Sequence, residues 1–227
     1  MLTLYLQAPF ASFRPFSAGS FRPTASFISP SSAYGLLLNV AGIEMRHDDG
    51  KSVMTLIKSG LPELNLAIGA IEFPRQQRMF CQYHNYPVGN TGKEHAQNTK
   101  GNKYNISPVR KSFLSGIKAY ICIDGNGELE NQITEGLRGN SSRTYGLPFL
   151  GDNSYLIDRL EPVENRKPAY WFEMVGQDDE QELRRNVTRL TVTIDRADMS
   201  KTRSSLFAPS PTPSDIIPEK AWVKVGY

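Results

Sequence analysis

The sequence predicts an α+β fold: a ferredoxin-like (RRM-like) module with a protruding β-hairpin, followed by a β-rich C-terminal portion. Three observations predict it. The chain opens as strand, helix, strand. A second strand and helix follow in its middle, with only strands after them. Between the two units lies a long segment, full of Gly, Asn, Lys and Pro, with no apolar period.

Leu2-Thr3-Leu4-Tyr5-Leu6 alternates as a half-buried strand does, giving a strand over 2–7. Ser29 or Ser31 can cap a helix with Pro30 in its first turn, and the Leu36–Val40 run supplies its buried face, so a helix is expected over 31–41. Strands are expected near 52–58, 64–72 and 78–86, and residues 87–110 read as a long loop or protruding hairpin. A strand over 113–123 runs into Asp124-Gly125-Asn126-Gly127, a strong turn signal. Leu129, Ile133 and Leu137 then recur at helical spacing. Residues 138–153 form a Gly- and Ser-rich loop, and strands are expected near 168–175, 187–194 and 222–225, with 200–218 extended.

A chain of 227 residues can bury one sizeable core, or one domain with a small subdomain. With 39% hydrophobic and 22% charged residues the composition is that of an ordinary globular protein. The net charge of +3 is slight, but its distribution is not even. From Glu72 to Lys111 seven Lys or Arg stand against two Glu, a net of +5, interleaved with Phe80, Tyr83, His84, Tyr86 and Tyr104. That mixture suits RNA, where phosphate neutralisation and base stacking act together. Met1–Phe13 lacks a basic n-region and is broken by Gln7 and Pro9, no apolar run approaches membrane-spanning length, and the two cysteines form no CxxC pair. A cytoplasmic protein with no membrane partner is the expectation.

Four stretches together resemble a known family. They are Leu4 to Arg14; Ser29-Pro30-Ser31 to Leu38; Val109-Arg110-Lys111-Ser112-Phe113-Leu114; and Tyr145-Gly146-Leu147-Pro148-Phe149-Leu150-Gly151-Asp152. Their order and spacing over about residues 1–160 resemble the Cas-five family, the RAMP subunit that caps the five-prime handle of CRISPR RNA (crRNA) in type I Cascade complexes. The resemblance implies a ferredoxin-like RAMP domain over 1–160 with a thumb at about 81–108, and a β-rich portion over 161–227 packed on it. It implies a non-catalytic subunit whose partners are the crRNA five-prime handle and the Cascade backbone and large subunits. The tail from about 165 onward carries no such resemblance.

The RNA-binding candidates follow from position and chemistry. Arg14 and Arg22 flank the first loop, where guanidinium can fork onto phosphate. Ser29 and Ser31 can cap the helix and donate to phosphate. Tyr34 either stacks on a base or fills core. Arg78, His84, Lys100, Lys103, Arg110 and Lys111 lie in the basic stretch, and Arg143 and Tyr145 in the glycine loop. Gly146 and Gly151 allow close backbone approach to RNA or a neighbour.

Two other readings stay open. The first is an endoribonuclease of the same superfamily that processes precursor crRNA. That branch carries a Lys-His pair where this chain has Arg110-Lys111-Ser112, so no catalytic residue is assigned and no ribonuclease activity is expected. The second is a β-rich protein-interaction module without RNA. Cys81 and His84 are not completed to a zinc set, and His47-Asp48-Asp49 reads as a solvated turn, so no metal is expected. No phosphate-loop, dinucleotide or nucleophile-elbow motif occurs, and no cofactor is expected.

Overall fold

The computed structural model describes residues 1–15, 21–52, 55–85, 105–143, 146–176 and 185–227, with only the backbone of 83–85 and 105–107. In chain order the elements are β1 (Leu2–Ala11), β2 (Phe21–Arg22), α1 (Pro30–Val40), β3 (Arg46–His47), β4 (Leu56–Ile57), β5 (Leu64–Glu72), β6 (Arg75–Asn85), β7 (Asn105–Asp124), α2 (Gly127–Leu137), β8 (Arg159–Pro162), β9 (Tyr170–Met174), β10 (Thr188–Thr193), β11 (Arg203–Pro209) and β12 (Val223–Val225). Among the described residues the fold is α+β, two α-helices against one large sheet.

The helices form for the reasons their sequences give. The Ser29 hydroxyl accepts the Ser32 N–H at 3.2 Å, and Pro30 occupies the first turn, where its missing N–H is no loss. Asn126 caps α2 in the same way, its Oδ1 accepting the Leu129 N–H at 3.0 Å, with Glu128 and Glu130 at the positive end of the helix dipole.

The central strands run β5-β7-β1-β8, every neighbouring pair antiparallel. α1 connects β1 to β5 across β7, and α2 connects β7 to β8 across β1, so the two crossovers interleave. The C-terminal strands extend the same sheet: β9 pairs β5 through Gly69–Trp171, β11 and β10 follow outward, and β12 pairs the start of β5. One hydrophobic core therefore joins Leu4, Leu37, Ile121 and Ile133 to Phe172, Leu190, Phe207 and Val223. Phe27, in the loop before α1, stacks on Phe172 with ring centroids 4.5 Å apart.

A smaller cluster covers the other face, where Trp171, Tyr120, Cys122 and Ala67 pack together. The Ser/Pro-rich stretch is ordered by this face. The Trp171 indole N–H donates to the Ser214 carbonyl at 2.9 Å, and the Ser210 hydroxyl accepts the Trp171 amide at 3.0 Å. Residues 203–209 of the stretch expected as merely extended form a strand paired on both sides.

Other expectations change in form. The strand near 52–58 is replaced by the two-residue ribbon β3–β4, with His47 opposite Leu56. β1 runs to Ala11 rather than residue 7, since Phe10 and Ala11 still pair Ser115 and Leu114. Residues 105–110, part of the stretch read as a long loop or protruding hairpin, are strand and pair antiparallel with 80–85, in line with the second alternative. β8 had no sequence signal of its own: it is four residues long and mostly exposed, so no apolar alternation marks it.

Gly116 in the middle of β7 has a φ of +74°, in the left-handed region. The inward alternation shifts there by one residue: Leu114 before it and Ile117, Ala119, Ile121 and Ile123 after it all face the main core. Before Gly116, β6 takes over from β5 along the β7 edge, pairing Arg75 with Ser115 and continuing to Asn85 with Asn105. Short β2 takes over from β1 on the opposite edge, parallel to β7.

Candidate nucleic-acid interface

The two-stranded arm β6–β7, flanked by β2, sorts its residues by the period of two. Phe80 lies directly opposite Arg110, and Arg110 directly opposite Phe21, so the three form one cross-strand row. Arg78, two residues from Phe80, is on the same face, and its guanidinium lies over the Phe21 ring at 5.7 Å from the centroid. This face is open: Phe80 is 62% exposed and Phe21 41%, and both arginines are exposed. Among the described residues neither arginine has an acidic partner. Two aromatic faces and two guanidinium groups in alternation offer stacking platforms beside phosphate ligands.

The opposite face of the arm is closed. Lys111 is 5% exposed; its ammonium donates to the Asp152 carboxylate at 2.5 Å and lies 4.7 Å from the Tyr155 ring centroid. Burial opposes ionisation of Asp152, but the Lys111 ammonium and the Ser154 amide outweigh it and hold its carboxyl below the usual range. Phe113 packs edge-on against Phe10 at 5.5 Å. The loop carrying Asp152 is itself docked on β1. The Ser12 amide donates to the Leu150 carbonyl at 3.1 Å, and a Cβ on Gly151, whose φ is +75°, would stand 2.1 Å from the Ser12 carbonyl oxygen. Gly151 thus serves approach to the chain's own backbone.

The remaining candidates fall as follows. Arg14 is exposed at the end of β1, and Arg22 is half-buried opposite Lys111. Ser29 and Ser31 are buried and their hydroxyls are 3.1 Å apart, so Ser29 works as the helix cap and its lone pairs are engaged there. Tyr34 resolves to core: it is fully buried, its hydroxyl donates to the Pro62 carbonyl at 2.8 Å, and burial pushes its pKa up. Lys111 is a buried ion-pair partner of Asp152. His84 stands on β6 opposite Ile106, its side chain outside the described residues. Lys100, Lys103 and Tyr145 lie outside the described residues, and Arg143 is half-buried after α2. The Gly146 carbonyl accepts from the Asn39 amide at 3.3 Å.

Sequence reasoning missed Phe21. Its signal was present, an aromatic next to Arg22 in the Arg-bearing loop, but only pairing with β7 sets it beside Arg110. No group of His, Cys, Asp and Glu among the described residues is arranged to hold a metal. Asp49 spends its carboxylate on the Ser52 and Lys51 amides and the Ser52 hydroxyl, which lowers its pKa to about 2. Burial raises the Cys122 thiol to about 11, an unreactive thiol. Among the described residues no helix is long and apolar enough to cross a membrane.

No family model and no curated protein matches the sequence. The fold does have relatives. The chain is similar to a chain of a solved CRISPR RNA-guided surveillance complex, with a TM-score of 0.58 and 15% identity, covering 97% of this chain and 92% of that one. It also matches a crystal structure of a Cas protein at a TM-score of 0.44 and 16% identity, over 96% of this chain and 97% of that one. At 15% identity the first likeness is one of fold, and it spans nearly the whole of both chains.

Proposed function

We propose that this chain is a non-catalytic, RNA-binding subunit of a type I CRISPR effector complex, of the Cas-five kind, which holds the five-prime handle of crRNA. The observation that carries the reading is the exposed Phe80–Arg110–Phe21 row with Arg78 beside it. The likeness to the surveillance-complex chain supports the CRISPR setting. The interleaved order β5-β7-β1-β8 supports reading the first two-thirds as a ferredoxin-like RAMP module, because βαββαβ connectivity generates that order. Docking to the backbone and large subunits follows from the family resemblance.

In this reading the arm carries stacking and charge, and the complex reads target sequence by guide pairing. Phosphate contacts by Arg78 and Arg110 give affinity without sequence preference, and bases unstacked against Phe80 and Phe21 hold the handle's path. A non-enzymatic role is supported by the sequestration of Tyr34 and Lys111, whose reactive atoms are engaged by Pro62 and Asp152.

The test is a salt titration of single-stranded handle RNA binding to wild type and to the Arg78→Ala, Arg110→Ala pair. Each phosphate contact contributes about 0.7 to the slope of log K against log salt, so the pair should flatten it by about 1.4. An unchanged slope and affinity would remove the arm from the interface. Precursor RNA incubated with the protein in EDTA should remain intact; cleavage would restore the endoribonuclease reading.

A further inference from the structure

β6 pairs β7 along one edge only, and among the described residues no strand pairs its other edge. The free edge runs the full eleven residues of the strand, about 36 Å at the usual rise per residue. A free edge is a template for another strand, and proteins guard it by shortness, Pro, Lys or a bulge. The two ends of the main strand order are guarded in this way: β8 has four residues and ends in Pro162, and β10 shifts register between Thr191 and Thr193. β6 has none of these devices. It holds no Pro and no Lys, and its register with β7 is unbroken from Arg75 to Asn85.

The sequence of β6 suits pairing with a copy of itself. Phe80 is the midpoint of Arg75–Asn85, so a two-fold axis through it engages the whole strand. In that antiparallel register Phe80 stands opposite Phe80 of the second copy, Met79 opposite Cys81, Arg78 opposite Gln82, Gln77 opposite Tyr83 and Arg75 opposite Asn85. No like charges face each other. An axis at Arg78 would set that arginine against itself, and one between Gln76 and Gln77 would set Arg75 against Arg78, both unfavourable. The axis at Phe80 also gathers the apolar residues Met79, Phe80 and Cys81 of both copies at the centre, with polar residues on either side, as in a protein interface. Alternation puts the Phe80 pair on the open face of the arm and Met79 and Cys81 on the closed one.

We propose that the free edge of β6 is a self-association surface, which pairs antiparallel with β6 of a second copy of this chain about a two-fold axis at Phe80. The pairing runs along the strand edge and leaves the open face open, so it does not rest on the RNA reading. It makes the Phe21–Arg110–Phe80 rows of the two copies continuous across six strands.

Two experiments on the full chain, freed of nucleic acid by high salt, test this. Sedimentation velocity over a wide range of protein concentration should show a monomer–dimer equilibrium. Gln82→Glu places a carboxylate opposite Arg78 twice per dimer and should tighten it by about 2- to 30-fold, while Gln82→Arg opposes like charges and should weaken it by a similar factor. Melting curves of each variant serve as the folding control. In the second experiment Met79→Cys sets a thiol opposite Cys81 of the other copy, at a cross-strand separation that a disulfide spans. Oxidation with copper phenanthroline should then give a covalent dimer, lost when Cys81→Ser is added. A monomer at every concentration would overturn the proposal and leave the edge to a strand of another protein. A dimer indifferent to both Gln82 changes, with no cross-link, would overturn it by placing the contact elsewhere.

Discussion

Replacing Phe80 by alanine separates binding from folding more cleanly than any other single change in this molecule. The side chain is 62% exposed, so its truncation uncovers little core and should change stability by no more than about 0.5 kcal/mol. It stands directly opposite Arg110 in the row that ends at Phe21. A base stacked on an exposed aromatic contributes about 1–3 kcal/mol by alanine substitution, which is about 5- to 150-fold in affinity. No charge is removed, so the salt slope should stay that of wild type. The assay is fluorescence anisotropy of a labelled single-stranded handle RNA at several salt concentrations, with a melting curve for each protein. Affinity within twofold of wild type would refute the stacking role. A loss of affinity matched by a fall in melting temperature would show that Phe80 holds the arm together rather than meeting RNA.

Three further outcomes follow from the closed side of the arm. Lys111→Met strands the Asp152 carboxylate, which is only 25% exposed, and should lower unfolding free energy by roughly 1–3 kcal/mol in urea while leaving the salt slope unchanged. Because the Asp152 pKa is lowered in the folded state, the stability it contributes is present above its unfolded pKa, about 4, and is lost as pH falls through the folded value; Asp152→Asn should flatten this part of the acid limb in pH-dependent melting. Gly151→Ala puts a Cβ 2.1 Å from the Ser12 carbonyl oxygen at a φ of +75°, so the 150–152 loop must move; a drop in melting temperature of at least about 4 °C is expected, and none would show the loop is not docked there.

How much of this was legible in the sequence depends on how local each signal is. Both helices were, because Ser29, Pro30 and Asn126 act within one turn of the residues they cap. β5 was found end to end, since its apolar residues are continuous and turn residues bound it. What escaped depends on partners distant in sequence. β8 is a strand only because Gln7 to Leu4 pair it, and β11 only because β9 and β10 flank it. The same holds for the site. Arg78 and Arg110 were picked from charge and prove exposed, whereas Lys111, from the same charge run, faces the other side of the strand and meets Asp152, 41 residues on. Alternation along β7 contained that distinction, but the change of parity at Gly116, where φ is +74°, hides which side faces the core until the register is known.

The most direct measurement is to purify the tagged protein from its native host and to sequence whatever RNA comes with it. The account predicts short RNAs sharing one five-prime end, recovered with several other protein subunits and released by Phe80→Ala combined with Arg110→Ala. Protein recovered alone and free of RNA would contradict it, and would leave the fold as that of an interaction module with no RNA ligand.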